Sequence, residues 1–286
     1  MTVLNLRAPA KINWSLEIVG KRDDGYHLLR SIMQMVELFD ILRISSATVD
    51  SCLRDGAEVT DDLAFRAWML IKERCHIMDC LRIEIEKHIP VGAGLGGGSS
   101  DAATLMLGIN RHYDLGLSLE KLVSWGLELG ADLPFCLSGG LALVEGIGEK
   151  ISKLDAVQPY DILIINPGFP VSTSAVFNKF SFEQAGRCPD IDALSVALLA
   201  GDVQKICQSS GNMLENAAIC IHPELQKIKN GLVELGLHPL MSGSGGSIFA
   251  LCGSGMEEDS LAIKKVRRLA PWVSITKVIL DEFIED

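Results

Sequence analysis

Pro90-Val91-Gly92-Ala93-Gly94-Leu95-Gly96-Gly97-Gly98-Ser99-Ser100-Asp101 reads PVGAGLGGGSSD. Five glycines fall within seven positions, and three residues that favour helix N-termini follow them. Upstream, LRIEIEKHIP alternates as a strand, with Leu81, Ile83, Ile85 and Lys87 on one face, and stops at Pro90. Downstream, DAATLMLGINRHYDLG carries a helical apolar face of Ala103, Leu105, Met106 and Ile109, for which Ser99, Ser100 or Asp101 supplies a cap. The unit is therefore strand, bare loop, helix.

Three readings of the loop compete. Its glycines could only turn the chain, but so many of them raise the entropy cost of ordering it, which speaks for a further use. Gly92-Ala93-Gly94-Leu95-Gly96-Gly97 satisfies the dinucleotide pattern G-x-G-x-x-G. That pattern wants an acidic residue at the end of a second parallel strand. Asp114 stands near the right distance, but in a helix end, and a long segment precedes the loop. The third reading is a phosphate cradle, because a helix N-terminus offers free N–H groups and partial positive charge. No Gly-Lys-Ser/Thr follows, so it is not a Walker loop. Without a lysine in the loop, positive charge has to come from elsewhere or from a metal. Ser99 and Ser100 can bond phosphate oxygens or ligate Mg²⁺, and Asp101 is read as a helix cap.

The rest of the chain bounds the answer. It has 286 residues, 48% hydrophobic and 22% charged, which describes a folded protein with a sizeable core. A net charge of −11 speaks against nucleic acid as the main partner. Small phosphorylated ligands stay open, since local N–H groups and a few cations hold them. The eight cysteines are scattered with no CxxC pair, and are expected to be reduced, mostly buried thiols. The start MTVLNLRAPAKINW lacks a signal-peptide pattern, and no apolar run reaches the roughly 18–20 residues of a membrane span. These features lead to a cytoplasmic expectation.

Ile12, Trp14, Leu16 and Ile18 alternate as one strand, and 20–25 is a polar turn. SIMQMVELFDILRI continues in β-friendly residues. Residues 62–74 read as a helix capped by Asp61 or Asp62, and Ser118 starts another that ends at Gly130 in a left-handed cap. GGLALVEG is a strand, 151–160 a connector, and YDILIINPG a buried strand. Helices follow from about Ser172, then SGSGGSIFAL, a glycine turn into a strand, and VSITKVIL closes the sheet. Strands and helices mix without a strict βαβ rhythm, which indicates an α+β fold in two lobes, divided into 1–155 and 156–286.

Other groups invite chemistry. Asp132 in GADLPF has apolar neighbours and precedes Leu133-Pro134, which is expected to be extended. Read alone it is a turn-forming aspartate rather than a placed carboxylate, and Lys11 in PAKINW is an edge lysine facing solvent. Tyr26-His27 could stack on and bond a base, or form a solvated rim. SGSGG is a second place for close backbone approach, or a simple turn.

Together, PAKIN (9–13), DGYH (24–27), PVGAGLGGGSSDAAT (90–104), GADLPF (130–135) and SGSGGSIFAL (242–251) resemble the GHMP kinases. The motifs spread from residue 7 to 251 in that family's order, while 45–80 and 180–210 add little. The resemblance implies an N-terminal lobe like ribosomal protein S5 domain 2 and a ferredoxin-like C-terminal lobe. It implies a small-molecule kinase using ATP with Mg²⁺ and no nucleic acid or membrane partner, a monomer or weak homodimer. PAKIN with DGYH narrows it to the branch that phosphorylates the 2-hydroxyl of 4-diphosphocytidyl-2-C-methyl-D-erythritol in isoprenoid biosynthesis. The alternatives are a family member acting on a sugar, homoserine or mevalonate-like alcohol, an NAD(P)-dependent oxidoreductase, and a nucleotide-binding module without catalysis.

By that resemblance Lys11 and Asp132 are the catalytic pair, Asp132 orienting or deprotonating the acceptor and Lys11 holding it. Asn13 bonds the substrate. Tyr26 stacks on the cytosine, His27 bonds its edge, Phe177 is the second aromatic, and Thr173 lies near the substrate. Residues Pro90 to Ser100 wrap the ATP phosphates, and SGSGG faces the same cleft. The metal ligands stay unassigned. Asp62 stands where the family more often has Asn, Met213 where Asp is usual, and Gly245-Gly246 replaces a bulkier pair, implying a more mobile loop.

Overall fold

The computed structural model describes residues 4–23, 25–155, 158–252 and 260–280. Its spine is one long strand. β1 (Leu4–Asn13) and β2 (Ser15–Lys21) lie antiparallel along one edge of β3 (His27–Ala47). β4 (Ser51–Arg54) and β5 (Ala57–Glu58) follow, then α1 (Leu63–Arg74) and β6 (Cys80–Glu86). α2 (Gly97–His112), α3 (Leu119–Leu129) and α4 (Leu133–Ser138) precede the hairpin of β7 (Leu141–Gly146) and β8 (Lys150–Leu154). β7 and then β6 take the other edge of β3, pairing with its residues 29–34 and 41–47.

The second lobe opens with β9 (Asp161–Asn166). α5 (Thr173–Lys179), α6 (Ile191–Ala200), α7 (Val203–Ser209), β10 (Gly211–Asn212), α8 (Glu215–Ile221) and α9 (Glu224–Glu234) follow. β11 (Leu240–Met241), β12 (Ile248–Leu251), α10 (Leu261–Val266) and β13 (Trp272–Lys277) complete it. Its sheet runs β11-β12-β9-β13, all antiparallel, which is the strand order of a ferredoxin-like lobe. The fold is the expected two-lobed α+β arrangement. The division at 155/156 falls in the link between β8 and β9. The lobes interlock across it: β10 pairs in parallel with β2, and Val278 bridges back to Val36.

Burial follows period. Met33, Leu42, Ile83 and Ile85 face α1 to α4, packing on Trp68, Leu105 and Phe135. The opposite face, with Ala10, Ile12, Trp14 and Ile32, packs on Ile162, Ile164 and Phe249 of the second sheet and on α6. The far face of that sheet, Leu163 and Ile165, lies under α8 to α10. Trp14 fastens the lobes: its ring meets Phe249 edge-on at 5.5 Å, and its indole N–H donates to Gln34 Oε1 at 2.8 Å.

Several local expectations are corrected. Trp14 breaks the alternating segment into two strands, its N–H donating to Ile32 O. Gly130 is extended, with φ −179°, so α3 does not end in a left-handed cap. Residues 150–154 form β8 rather than a connector. Leu133-Pro134 opens α4 rather than extending, because proline needs no N–H partner in a first helical turn. Asp62, as expected, caps α1 by accepting from Ala64 N at 2.9 Å. Only Cys52 and Cys136 are buried, while Cys188 and Cys220 are exposed. Among the described residues no helix is long and apolar enough to cross a membrane.

Candidate active site

One cleft of about 790 Å³ lies between the lobes. β1 delivers Lys11 and Asn13 to it because Ala10, Ile12 and Trp14 are drawn into the core on the other face. Lys11 is only 3% exposed. Its ammonium donates to Asn13 Oδ1 at 2.8 Å and faces Asp132 Oδ2 at 3.5 Å. Lys11 is thus a buried cation aimed into the cleft, not a solvated edge residue. Asp132 is no plain turn residue either: it stands at the N-terminus of α4, and its half-open carboxylate faces the cleft.

Asn13 is held as firmly. Its amide donates to Ser31 Oγ at 2.8 Å, and Ser242 Oγ lies 3.4 Å from its carbonyl oxygen. In this geometry its first task is to fix Lys11.

The glycine loop crosses above Lys11, and Lys11 N donates to Leu95 O at 2.9 Å. α2 begins at Gly97 with Gly96 as its cap, in a left-handed conformation with φ 69°. A side chain at 96 would meet Lys11 Cγ at 2.9 Å. Ser99, Ser100 and Asp101 are therefore inside the helix and none caps it, which corrects the reading from sequence. Residues 90–99 line the cleft, as Asp101 does, whereas the Ser100 hydroxyl is buried without a hydrogen-bond partner. The second lobe clamps the loop: Val171 N donates to Gly92 O, Ser247 N to Ala93 O, and Ser242 Oγ to Gly94 O, all at 2.9 Å.

Aromatic groups gather at one end. His27, at the start of β3, packs at a tilt of 34° on Phe177 of α5, with ring centroids 5.2 Å apart. Tyr26 is 62% exposed on the rim, and Asp24 of the same motif lies outside the described residues. Burial and the nearby Lys21 lower the His27 pKa below its ordinary value, so the ring is neutral at pH 7. Thr173 Oγ1 shares a hydrogen bond of 2.8 Å with Ser244 Oγ, joining α5 to the second glycine loop.

At the other end Arg54 and Lys87, which sequence reading missed, line the cleft beside Asp62. Past the end of β6 the Lys87 side chain, 8% exposed, bridges Asp40 and Asp101, its contact to Asp101 Oδ2 being 2.6 Å. Its three N–H groups can bond both carboxylates, but its one charge cannot neutralise two. Burial pushes the Asp101 carboxyl up to about 8, against the pull of Lys87 and with the help of Asp40. Burial works to lower the Lys87 pKa, but the two carboxylates outweigh it and leave it raised. An unfolded aspartate titrates near ~3.9. Between those values the folded chain keeps a proton that the unfolded chain has lost, so stability falls as pH rises to about 8 and then levels. Asp101→Asn cannot titrate. Its Tm relative to the parent should therefore rise from pH 5 to about 8 and stop rising above it. A difference independent of pH would remove this assignment.

The departures are accommodated. Asp62 caps α1 and faces Arg54 at 3.7 Å. Met213 is buried in the second lobe, with its sulfur accepting from Ile18 N at 3.3 Å. Gly245 and Gly246 are buried too.

Residues 62–140 match the model of the GHMP kinases N terminal domain, and residues 194–270 that of the GHMP kinases C terminal domain. The chain is a GHMP kinase. As such it is a phosphotransferase that uses ATP and a small-molecule acceptor. Among relatives of this GHMP kinase, 4-diphosphocytidyl-2-C-methyl-D-erythritol kinase of Caldicellulosiruptor saccharolyticus is 38% identical, over 98% of this chain and 97% of the relative. The protein of the same name from Syntrophomonas wolfei is 42% identical, over 89% and 90%. A crystal structure of 4-(cytidine 5'-diphospho)-2C-methyl-D-erythritol kinase superposes with a TM-score of 0.81 at 32% identity, covering 96% of this chain and 99% of that one. Homoserine kinase from Cytophaga hutchinsonii, at 19% identity and a TM-score of 0.75, over 99% and 96%, shares the fold alone.

Proposed function

We propose that this GHMP kinase transfers the γ-phosphoryl group of ATP to the 2-hydroxyl of 4-diphosphocytidyl-2-C-methyl-D-erythritol. The products are ADP and the 2-phosphate, a step of isoprenoid precursor synthesis by the non-mevalonate route. The observation that carries this reading is the meeting, in one cleft, of the His27–Phe177 ring pair, the Lys11–Asp132 pair and the glycine loop. The relatives' names support the same acceptor.

In this mechanism the loop and the first turn of α2 hold the triphosphate by backbone N–H groups and the positive end of the helix. Asp132 orients the acceptor hydroxyl and takes its proton as the new P–O bond forms. Lys11, pinned by Asn13, holds Asp132 in place and offsets charge on the transferring group. Mg²⁺ supplies further charge neutralisation to the phosphates when bound. Ser99, which faces the cleft, is the hydroxyl that would hold it. Tyr26 and Phe177 flank the cytosine, neutral His27 bonds its edge, and Thr173 contacts the substrate. The use of ATP as donor suits a cytoplasmic enzyme, and we expect a monomer or weak homodimer with lobes at 1–155 and 156–286.

ADP release measured against a panel of acceptors tests the reading. The cytidylyl acceptor should support turnover, and homoserine, mevalonate and galactose should not. Turnover with one of those three alone would assign a different acceptor. Phe177→Ala should raise the KM for the cytidylyl acceptor by about 10-fold or more, the scale of one lost base stack, with the KM for ATP unchanged. An unchanged acceptor KM would take Phe177 out of the base site.

A further inference from the structure

The mechanism above gives Asp40 no task, yet Asp40 is wholly buried in an apolar stretch of β3, opposite Ala8. A carboxyl group stays in such a place only when its lone pairs are taken up. Asp40 Oδ1 accepts from His88 N at 2.6 Å and from Ile89 N at 2.8 Å. Asp40 Oδ2 accepts from the Lys87 ammonium, which continues to Asp101 Oδ2 at 2.6 Å. The same oxygen lies beneath α2, 3.3 Å from where a side chain on Gly97 would begin.

These contacts fall on both ends of one loop. Residues 87–89 lead into it, and Gly97 and Asp101 receive the chain on its far side. We propose that Asp40 is a positioning residue for phosphoryl transfer, fixing the two ends of the glycine loop relative to each other. The loop's N–H groups are thereby set before nucleotide arrives, and less ordering remains for binding to do. The inference rests on reading that loop as the ATP-phosphate cradle. Chemistry explains the residue type: the three groups on Asp40 are all donors, and charged hydrogen bonds of this kind are the strong ones. Asparagine would turn an N–H toward Lys87. Without Asp40, Lys87 and Asp101 remain a one-to-one pair, so the charge balance of the core survives its removal.

The test is Asp40→Ala and Asp40→Asn in the full chain, read by steady-state kinetics and by amide hydrogen exchange of the ligand-free protein. In the alanine variant, peptides covering 87–98 should exchange at least about 10-fold faster while β9 and β13 keep the parent rate. The KM for ATP should rise about 10-fold, with the acceptor KM within about twofold. The asparagine variant should show the same pattern more weakly, and it decides the matter if the alanine variant does not fold. Exchange that speeds up everywhere, loss of folding in both variants, or an unchanged KM for ATP would each overturn the proposal. Absence of turnover in the parent protein would instead strike the activity reading, and the exchange comparison would then judge Asp40 by itself.

Discussion

Asp132→Ala should lower kcat by about 10²-fold or more, the scale of one positioned acid–base group, while ATP still binds within about twofold. Asp132 faces the Lys11 ammonium across 3.5 Å and has no side-chain part in capping α4, so its removal takes away no structural hydrogen bond of that helix. The phosphate cradle proposed above is the loop and α2 and does not include it. Turnover by ADP release and nucleotide affinity by titration, measured on the same preparation, separate the two effects. An unchanged kcat would remove Asp132 from the chemistry. Joint loss of kcat and ATP affinity would mean that the cleft had collapsed.

Gly94→Ala should cut kcat/KM for ATP by about 10²-fold, the cost that a displacement near 1 Å can carry in a positioned site. Gly94 has φ 75°, and a Cβ there would lie 2.2 Å from Ser242 O and 2.8 Å from Gly245 O. Both oxygens are backbone, so no rotamer relieves the contact. The second lobe's loop and the phosphate loop have to move apart. Left-handed strain of about 1–3 kcal/mol and overpacking of about 1–3 kcal/mol should also lower Tm by several degrees. Gly56→Ala is the control: its φ is 81°, but nothing lies within 4 Å of the added carbon. It carries the strain without the collision and should leave ATP kinetics unchanged. Equal losses in both variants would show that the interlobe contact at Gly94 is irrelevant to the nucleotide.

Much of this site is legible in the chain itself. The bare loop, the strand before it and the helix after it are where the pattern puts them, because proline, glycine and period are strong local signals. Lys11 and Asp132 are not legible by local rules, which make one a surface lysine and the other a turn. Their pairing depends on β1 and α4 meeting across the first lobe, and only resemblance to a family with the same order of motifs supplies that contact. The cap of α2 is not legible for a physical reason: the chain turns into the helix at Gly96, which closes on the Lys11 stem, so that the serines and Asp101 fall inside the helix.

Lys87 did leave a signal. It stands in phase with Leu81, Ile83 and Ile85, which are all buried, and a lysine on a buried face needs a partner. Asp40, the buried acid of β3 where Glu37 is exposed, is the matching half of that signal. Neither residue alone names the other, since 47 positions separate them in the chain.

The most direct measurement is product identification by phosphorus NMR after incubating the purified chain with Mg-ATP and 4-diphosphocytidyl-2-C-methyl-D-erythritol. The expected result is one ADP formed per new phosphomonoester, with that phosphorus coupled through the oxygen at carbon 2 and the cytidylyl diphosphate intact. No ADP above background, or a phosphate on any other hydroxyl, would contradict the assignment of this cleft.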